Sequence, residues 1–189
     1  MRELTYYVAV TLDGFIAARD GDASAFPVEG DHMDVLLNEY TDTIPTHVQT
    51  ALGLEADLAR FDTVVMGWRT YTPALDVGIT HPYAHLRQIV ATRRDREVAD
   101  GIQTTADPVA TVRALKRDPG AGIYLAGGGE LAGALIDHID RLVLKHYPFA
   151  LGTGIPLFAG MSAPRRFRPI ETREFASGVR ITEYVPQAP

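Results

Sequence analysis

The chain has 189 residues, 46% of them hydrophobic and 22% charged, with a formal net charge of −6. This is the make-up of one ordinary globular domain large enough to bury a core without staples, and it excludes a disordered chain. The acidic balance speaks against a nonspecific nucleic-acid binder, and the absence of cysteine removes disulfides, thiolate metal sites, iron–sulfur clusters and a cysteine nucleophile.

In chain order, residues 4–10 (LTYYVAV) are rich in β-branched and aromatic side chains and read as a buried strand. Residues 11–30 read as a loop, punctuated by Asp13-Gly14 and Asp20-Gly21-Asp22. Residues 31–40 predict a helix with Met33, Leu36, Leu37 and Tyr40 on one face. Thr46 is the expected cap of a second helix running to about Arg60. A short buried strand over residues 62–66 ends at Gly67, a short helix follows over 69–75, and residues 87–92 (RQIVAT) form the next strand. Asp107 caps a helix that has Pro108 at its first position and Pro119-Gly120 as its stop. Residues 122–126 (GIYLA) are again a strand, which breaks into Gly127-Gly128-Gly129 before a helix over 130–136. A strand over 140–147 follows. Residues 167–175 and 179–185 predict an antiparallel hairpin turning at Ser177-Gly178.

Strands alternating with helices imply βαβ units and a mainly parallel sheet. The expected architecture is a single three-layer α/β domain over residues 1–189, a twisted parallel sheet with antiparallel C-terminal strands. No signal peptide is expected, and the longest uncharged run, residues 146–164, is interrupted by Pro148, Gly152, Gly154, Pro156 and Gly160. A cytoplasmic protein is the expectation. No metal site is expected either, because Pro82 interrupts the only suggestive spacing, His81 and His85.

Three strand ends could carry chemistry. In Leu125-Ala126-Gly127-Gly128-Gly129-Glu130-Leu131 a strand meets three glycines and a helix start, where backbone amides attract phosphate. The run matches neither the GxGxxG fingerprint nor an NTP-binding loop. In Met66-Gly67-Trp68-Arg69-Thr70-Tyr71, Arg69 and Thr70 could donate to a phosphate from a first helical turn. Ala91-Thr92-Arg93-Arg94 places a hydroxyl and two guanidiniums at the sheet's carboxyl edge, where ligands of open α/β sheets sit.

These segments, in this order, resemble the dihydrofolate-reductase-like family. The resemblance is strongest to the reductase domain of riboflavin biosynthesis, the C-terminal domain of bifunctional deaminase-reductases, and to its stand-alone relatives. It rests on Ala9 to Ala17 (AVTLDGFIA), Val65 to Tyr71 (VMGWRTY), Val90 to Arg93 (VATR), Ala126 to Leu131 (AGGGEL) and Pro148 to Phe158 (PFALGTGIPLF). It implies an NADPH-dependent reductase, with NADH as the other option, acting on a pyrimidine-, pterin- or riboflavin-precursor-like small molecule, and a homodimer. Ala9 and Ile16 would then flank the nicotinamide. Gly67, Trp68, Arg69 and Thr70 would border the pyrophosphate and adenosine side, with Thr92 and Arg93 near the 2′-phosphate. Gly127, Gly128, Gly129, Glu130 and Leu131 would cradle the pyrophosphate, and residues 18–24 would form a mobile loop. Trp68 stands where the family usually has an arginine that helps hold the 2′-phosphate, which leaves the choice between the two dinucleotides open. For a substrate-facing acid the first predicted helix offers Asp31 and Asp34. The competing expectation is a non-catalytic nucleotide-binding module on the same fold.

Overall fold

A computed structural model of the protein describes residues 1–187. Among the described residues there are ten strands: β1 (Leu4–Val10), β2 (Phe15–Ala17), β3 (Phe61–Gly67), β4 (Arg87–Ala91), β5 (Gln103–Thr105), β6 (Gly122–Gly127), β7 (Arg141–His146), β8 (Ile155–Pro156), β9 (Phe167–Glu174) and β10 (Arg180–Pro186). Eight of them form one sheet in the order β5-β4-β3-β6-β1-β7-β10-β9, and β2 and β8 pair separately. From β5 to β7 every pairing is parallel, whereas β10 and β9 add antiparallel strands. This is the expected α/β architecture, a mainly parallel sheet with antiparallel C-terminal strands.

The helices are α1 (Met33–Glu39), α2 (Thr46–Leu52), α3 (Trp68–Asp76), α4 (Pro108–Leu115) and α5 (Gly129–Ala134). Local chemistry sets their ends. Asp107 caps α4 by accepting from the Ala110 amide at 2.9 Å, and Pro108 occupies the first turn, where its missing N–H costs nothing.

Alternation along the strands builds two cores, one on each face of the sheet. Tyr7, Tyr40, Val64, Met66, Tyr71, Val90, Tyr124, Val143 and Ile181 share the first. Leu4, Tyr6, Val65, Ile89, Val112, Leu125, Leu131, Leu135 and Leu144 share the second. Most of these side chains are fully buried, each worth about 1.5–3 kcal/mol of transfer free energy.

The structure departs from the sequence expectations at several places. The second helix stops at Leu52 rather than near Arg60, because Gly53 takes the left-handed conformation (φ +66°) and ends it. Pro45, not Thr46, sits at its cap position. Beyond it the chain is held without secondary structure by the buried Asp42 carboxylate, which accepts from the amides of Leu58, Arg60 and Phe61 at 3.1, 3.1 and 2.9 Å. The helix predicted over 130–136 ends at Ala134 and gives way to a 3-10 turn, Ile136–His138. The loop predicted over 11–30 contains β2, and the three shortest strands, β2, β5 and β8, carry no pattern long enough to read.

Candidate active site

In the parallel part of the sheet the strands end level with one another. Gly67 of β3 lies opposite Ala91 of β4, Met66 lies opposite Gly127 of β6, and Ala91 lies opposite Thr105 of β5. The three glycine-, threonine- and arginine-bearing segments therefore emerge on one edge and face one another. A Cβ at Gly67 would lie 3.6 Å from the Gly127 carbonyl, and one at Gly128 would lie 3.8 Å from Thr70 Oγ1. Arg69 and Glu130, both largely exposed in the first turns of α3 and α5, approach to 3.8 Å and span the gap between the two helix starts.

The three consecutive glycines do different work. Gly127 has φ +101°, a conformation L side chains rarely adopt. Gly129 is required by packing, since a Cβ there would run into the Pro156 carbonyl. Gly128 has room on its open side and is the one whose backbone faces Thr70. The buried Leu131 faces the second core, so only its backbone can serve a ligand. Thr92 closes a local turn, its hydroxyl bonding the Arg94 amide and carbonyl at 3.2 and 3.1 Å, while Arg93 is exposed.

Sequence reasoning missed a residue beside this edge. Arg96 lays its guanidinium 4.7 Å above the Trp68 ring, and its Nε is buried with no hydrogen-bond partner among the described residues. Trp68 is itself fixed edge-on against the buried Tyr71. An aromatic at position 68 and an arginine four residues after Thr92 thus place a guanidinium next to α3. The signal in the sequence was Trp68 itself, a flat surface on which a guanidinium stacks well.

At the end of β1, Ala9 packs with the first core and Ile16, on β2, with the second, so the two lie to either side of the sheet at its edge. The turn between them is clamped by Asp13. Its carboxylate accepts from Thr11 Oγ1 at 2.5 Å and from the amides of Gly152 and Leu151 at 2.6 and 3.2 Å. The Thr11 hydroxyl, helped by those amides, holds this carboxyl below its ordinary range. Residues 18–24 are tied by turn hydrogen bonds such as Ser24 N–H to Asp22 at 2.9 Å, and Arg19 Nε reaches Thr153 Oγ1 at 2.6 Å.

Of the two acids proposed on the first helix, Asp31 is engaged elsewhere. Asp31 accepts from the amides of Ala176 and Ser177 at 2.7 and 3.1 Å and so caps the turn of the terminal hairpin. Asp34 is exposed in the first turn of α1. The neighbouring His32 is buried between Ser177 Oγ and Tyr147 Oη, each at 3.1 Å. Burial, reinforced by the charge of Lys145, lowers its pKa.

A depression at the opposite end of the sheet does not compete with this edge. It measures about 830 Å³, lies at the sheet's amino-terminal end, and most of the charged groups lining it are committed to other side chains or to the backbone. Arg141 pairs with Glu3 and Glu183, Arg2 with Asp62, and Arg60 donates to the Glu39 carbonyl at 2.9 Å. Among the described residues no helix is long and apolar enough to cross a membrane, and no cluster of three or more His, Cys, Asp or Glu side chains is placed to hold a metal ion.

The sheet order, the level strand ends and the facing helix starts define an α/β fold with a ligand-facing edge at the carboxyl ends of its parallel strands. The model of the RibD C-terminal domain family matches residues 2–181. The chain belongs to that family. Among curated proteins it is 31% identical to uncharacterized protein YwjB of Bacillus subtilis, covering 95% of this chain and 96% of that one. It is 27% identical to uncharacterized protein YyaP of the same organism, over 94% and 92% of the two chains. Among solved structures it resembles a putative riboflavin biosynthesis protein from Shewanella sp. PV-4, with TM-score 0.68, 23% identity and full coverage of both chains. It also resembles a diaminohydroxyphosphoribosylaminopyrimidine deaminase/5-amino-6-(5-phosphoribosylamino)uracil reductase from Thermotoga maritima, with TM-score 0.67 and 17% identity over 98% of this chain and 57% of that one.

Proposed function

We propose that the protein is an NADPH-dependent reductase of a small, planar, riboflavin-precursor-, pterin- or pyrimidine-like heterocycle. The observation that supports this reading is the convergence of Gly67–Thr70, Gly127–Glu130 and Thr92–Arg96 on one edge of the sheet. Unpaired amides at the starts of α3 and α5 would bind the pyrophosphate, because the first N–H groups of a helix have no partners within it. The Arg96 guanidinium, prevented by Trp68 from swinging away, would take the 2′-phosphate in place of the arginine missing at position 68. Bound NADPH would supply the hydride. The protein's own part is to fix the relative position of donor and acceptor and to keep bulk water from the edge.

Fluorescence titration with NADPH and NADH tests this reading. The expected result is tighter binding of NADPH. Arg96→Gln should weaken NADPH roughly 10- to 100-fold, the range of a charge-assisted hydrogen bond, while leaving NADH within about twofold. Failure of the wild type to bind either dinucleotide at millimolar concentration would overturn the proposal.

A further inference from the structure

On the first-core side of the same edge, the partly buried residues at the strand ends are apolar: Ala9 after Tyr7 on β1, Ala126 on β6, Trp68 after β3 and Phe149 after β7. Two cations stand against them, Arg96 over Trp68 and, on β7, Lys145. Lys145 lies beside Ala9 in the parallel register of β1 and β7, and its Nζ sits 4.4 Å above the Tyr7 ring. Tyr7 stacks on Tyr40 with centroids 4.2 Å apart and planes 8° from parallel, and the Arg60 guanidinium lies 4.2 Å over the Tyr40 ring. The stack fixes where the ammonium sits. It does not neutralise it: among the described residues no carboxylate lies within ion-pairing distance of Lys145, and the buried Tyr7 hydroxyl has no hydrogen-bond partner. Lys116, by contrast, is paired with Asp140 at 2.5 Å and donates to the His138 carbonyl at 2.7 Å.

A half-buried lysine without a counter-ion, next to a buried donor–acceptor without a partner, is a costly arrangement unless something else completes it. Flat apolar neighbours and an unpaired ammonium at one end suit a planar ligand that carries negative or partially negative oxygen there. We propose that Lys145 is the substrate-binding cation of this cleft. Its ammonium, seated on Tyr7 beside Ala9, donates to a ring carbonyl or ring oxyanion of a planar pteridine- or pyrimidine-dione, with the Tyr7 hydroxyl as a second contact. This deepens the reductase reading and rests on it, and it gives the polar pole of the substrate site to β7 rather than to the first helix. The titratable groups near Nζ are Tyr7 beneath it and His32, and Tyr40, Tyr147, Glu39 and Arg173 act in turn on Tyr7; burial pushes the Lys145 ammonium down to about 8.

The test uses lumazine, a fluorescent pteridine-dione, with the dinucleotide titration as an independent arm. Wild-type protein with saturating NADPH should bind lumazine. Lys145→Met should weaken that binding roughly tenfold or more, Lys145→Arg should largely retain it, and both variants should bind NADPH like the wild type. Because the chain has two lysines, trinitrobenzenesulfonate labelling read by peptide mass gives a second measure. Lys145 should label faster than Lys116, its rate should rise through a midpoint near 8, and lumazine should protect it. A wild type that binds NADPH but not lumazine, a Lys145→Met variant that binds lumazine unchanged, or labelling of Lys145 that is no faster than that of Lys116 or is indifferent to lumazine would overturn the assignment. Loss of NADPH binding in the wild type would instead remove the reductase reading beneath it.

Discussion

The two ends of the parallel strands use charge in opposite ways. At the amino-terminal end the polar groups are paired. Arg2 bonds Asp62 and the Thr63 hydroxyl, Asp62 also accepts from the Ala121 amide at 2.8 Å, Asp42 gathers three backbone amides, and Lys116 is bound to Asp140. At the carboxyl end Lys145, the Tyr7 hydroxyl and Arg96 Nε are held in place by aromatic rings and left without polar partners. Paired buried charge fixes a structure, whereas positioned but unpaired charge is available to a ligand.

This contrast can be broken first at the paired end. Asp42→Ala leaves three amides without an acceptor, and the expected loss is roughly 3–4 kcal/mol, seen as a fall of about 10 °C in a thermal melt. The folded fraction should still bind NADPH normally. Next come two glycines near one helix. A Cβ at Gly133 would run into the Ala159 carbonyl, so Gly133→Ala should destabilise by about 2–3 kcal/mol. Gly128, with φ −84° and open space, should accept alanine with little change in melting temperature. The cost there should fall on NADPH affinity, roughly tenfold if the added methyl displaces the pyrophosphate from the backbone. Equal effects of the two changes on stability would blur the distinction.

The smallest effect concerns pH. Lys145 is lowered to about 8 in the folded protein, against an ordinary lysine value near 10.4. Between these values the unfolded chain holds a proton that the folded one has released, so this group makes stability rise with pH. Above about 10 the opposite sign takes over, because burial raises Tyr6, Tyr7 and Tyr40 and the folded protein then keeps protons that the unfolded chain gives up. Chemical denaturation of wild type and Lys145→Met from pH 8 to 10 should show a rise in the first that is flattened in the second.

Much of the fold was legible because its central strands are short apolar runs: residues 4–10, 62–66, 87–92 and 122–126 match β1, β3, β4 and β6 within one or two residues. What was hidden depends on partners distant in sequence. Strand β8 exists because Phe15 and Ala17 pair with Pro156 and Ile155, and the irregular path after Leu52 exists because Asp42 captures amides 16–19 residues away. At the site, the glycine and threonine turns were readable as strand-to-helix junctions. Arg96 was not, because only the folded chain brings it over Trp68. Lys145 left a trace that a stricter reading of alternation catches: in LVLKHY it falls in phase with the inward-facing Val143 and Tyr147.

Helix α5 is pressed so tightly against residues 156–159 that Gly129 and Gly133 touch backbone carbonyls directly, with the Ala159 amide bonded to the Gly129 carbonyl at 3.0 Å. Such a contact leaves the helix no freedom to slide. A dinucleotide bound as proposed would therefore meet a socket already in its final shape, and its association should be a single fast phase, with no slow rearrangement following capture.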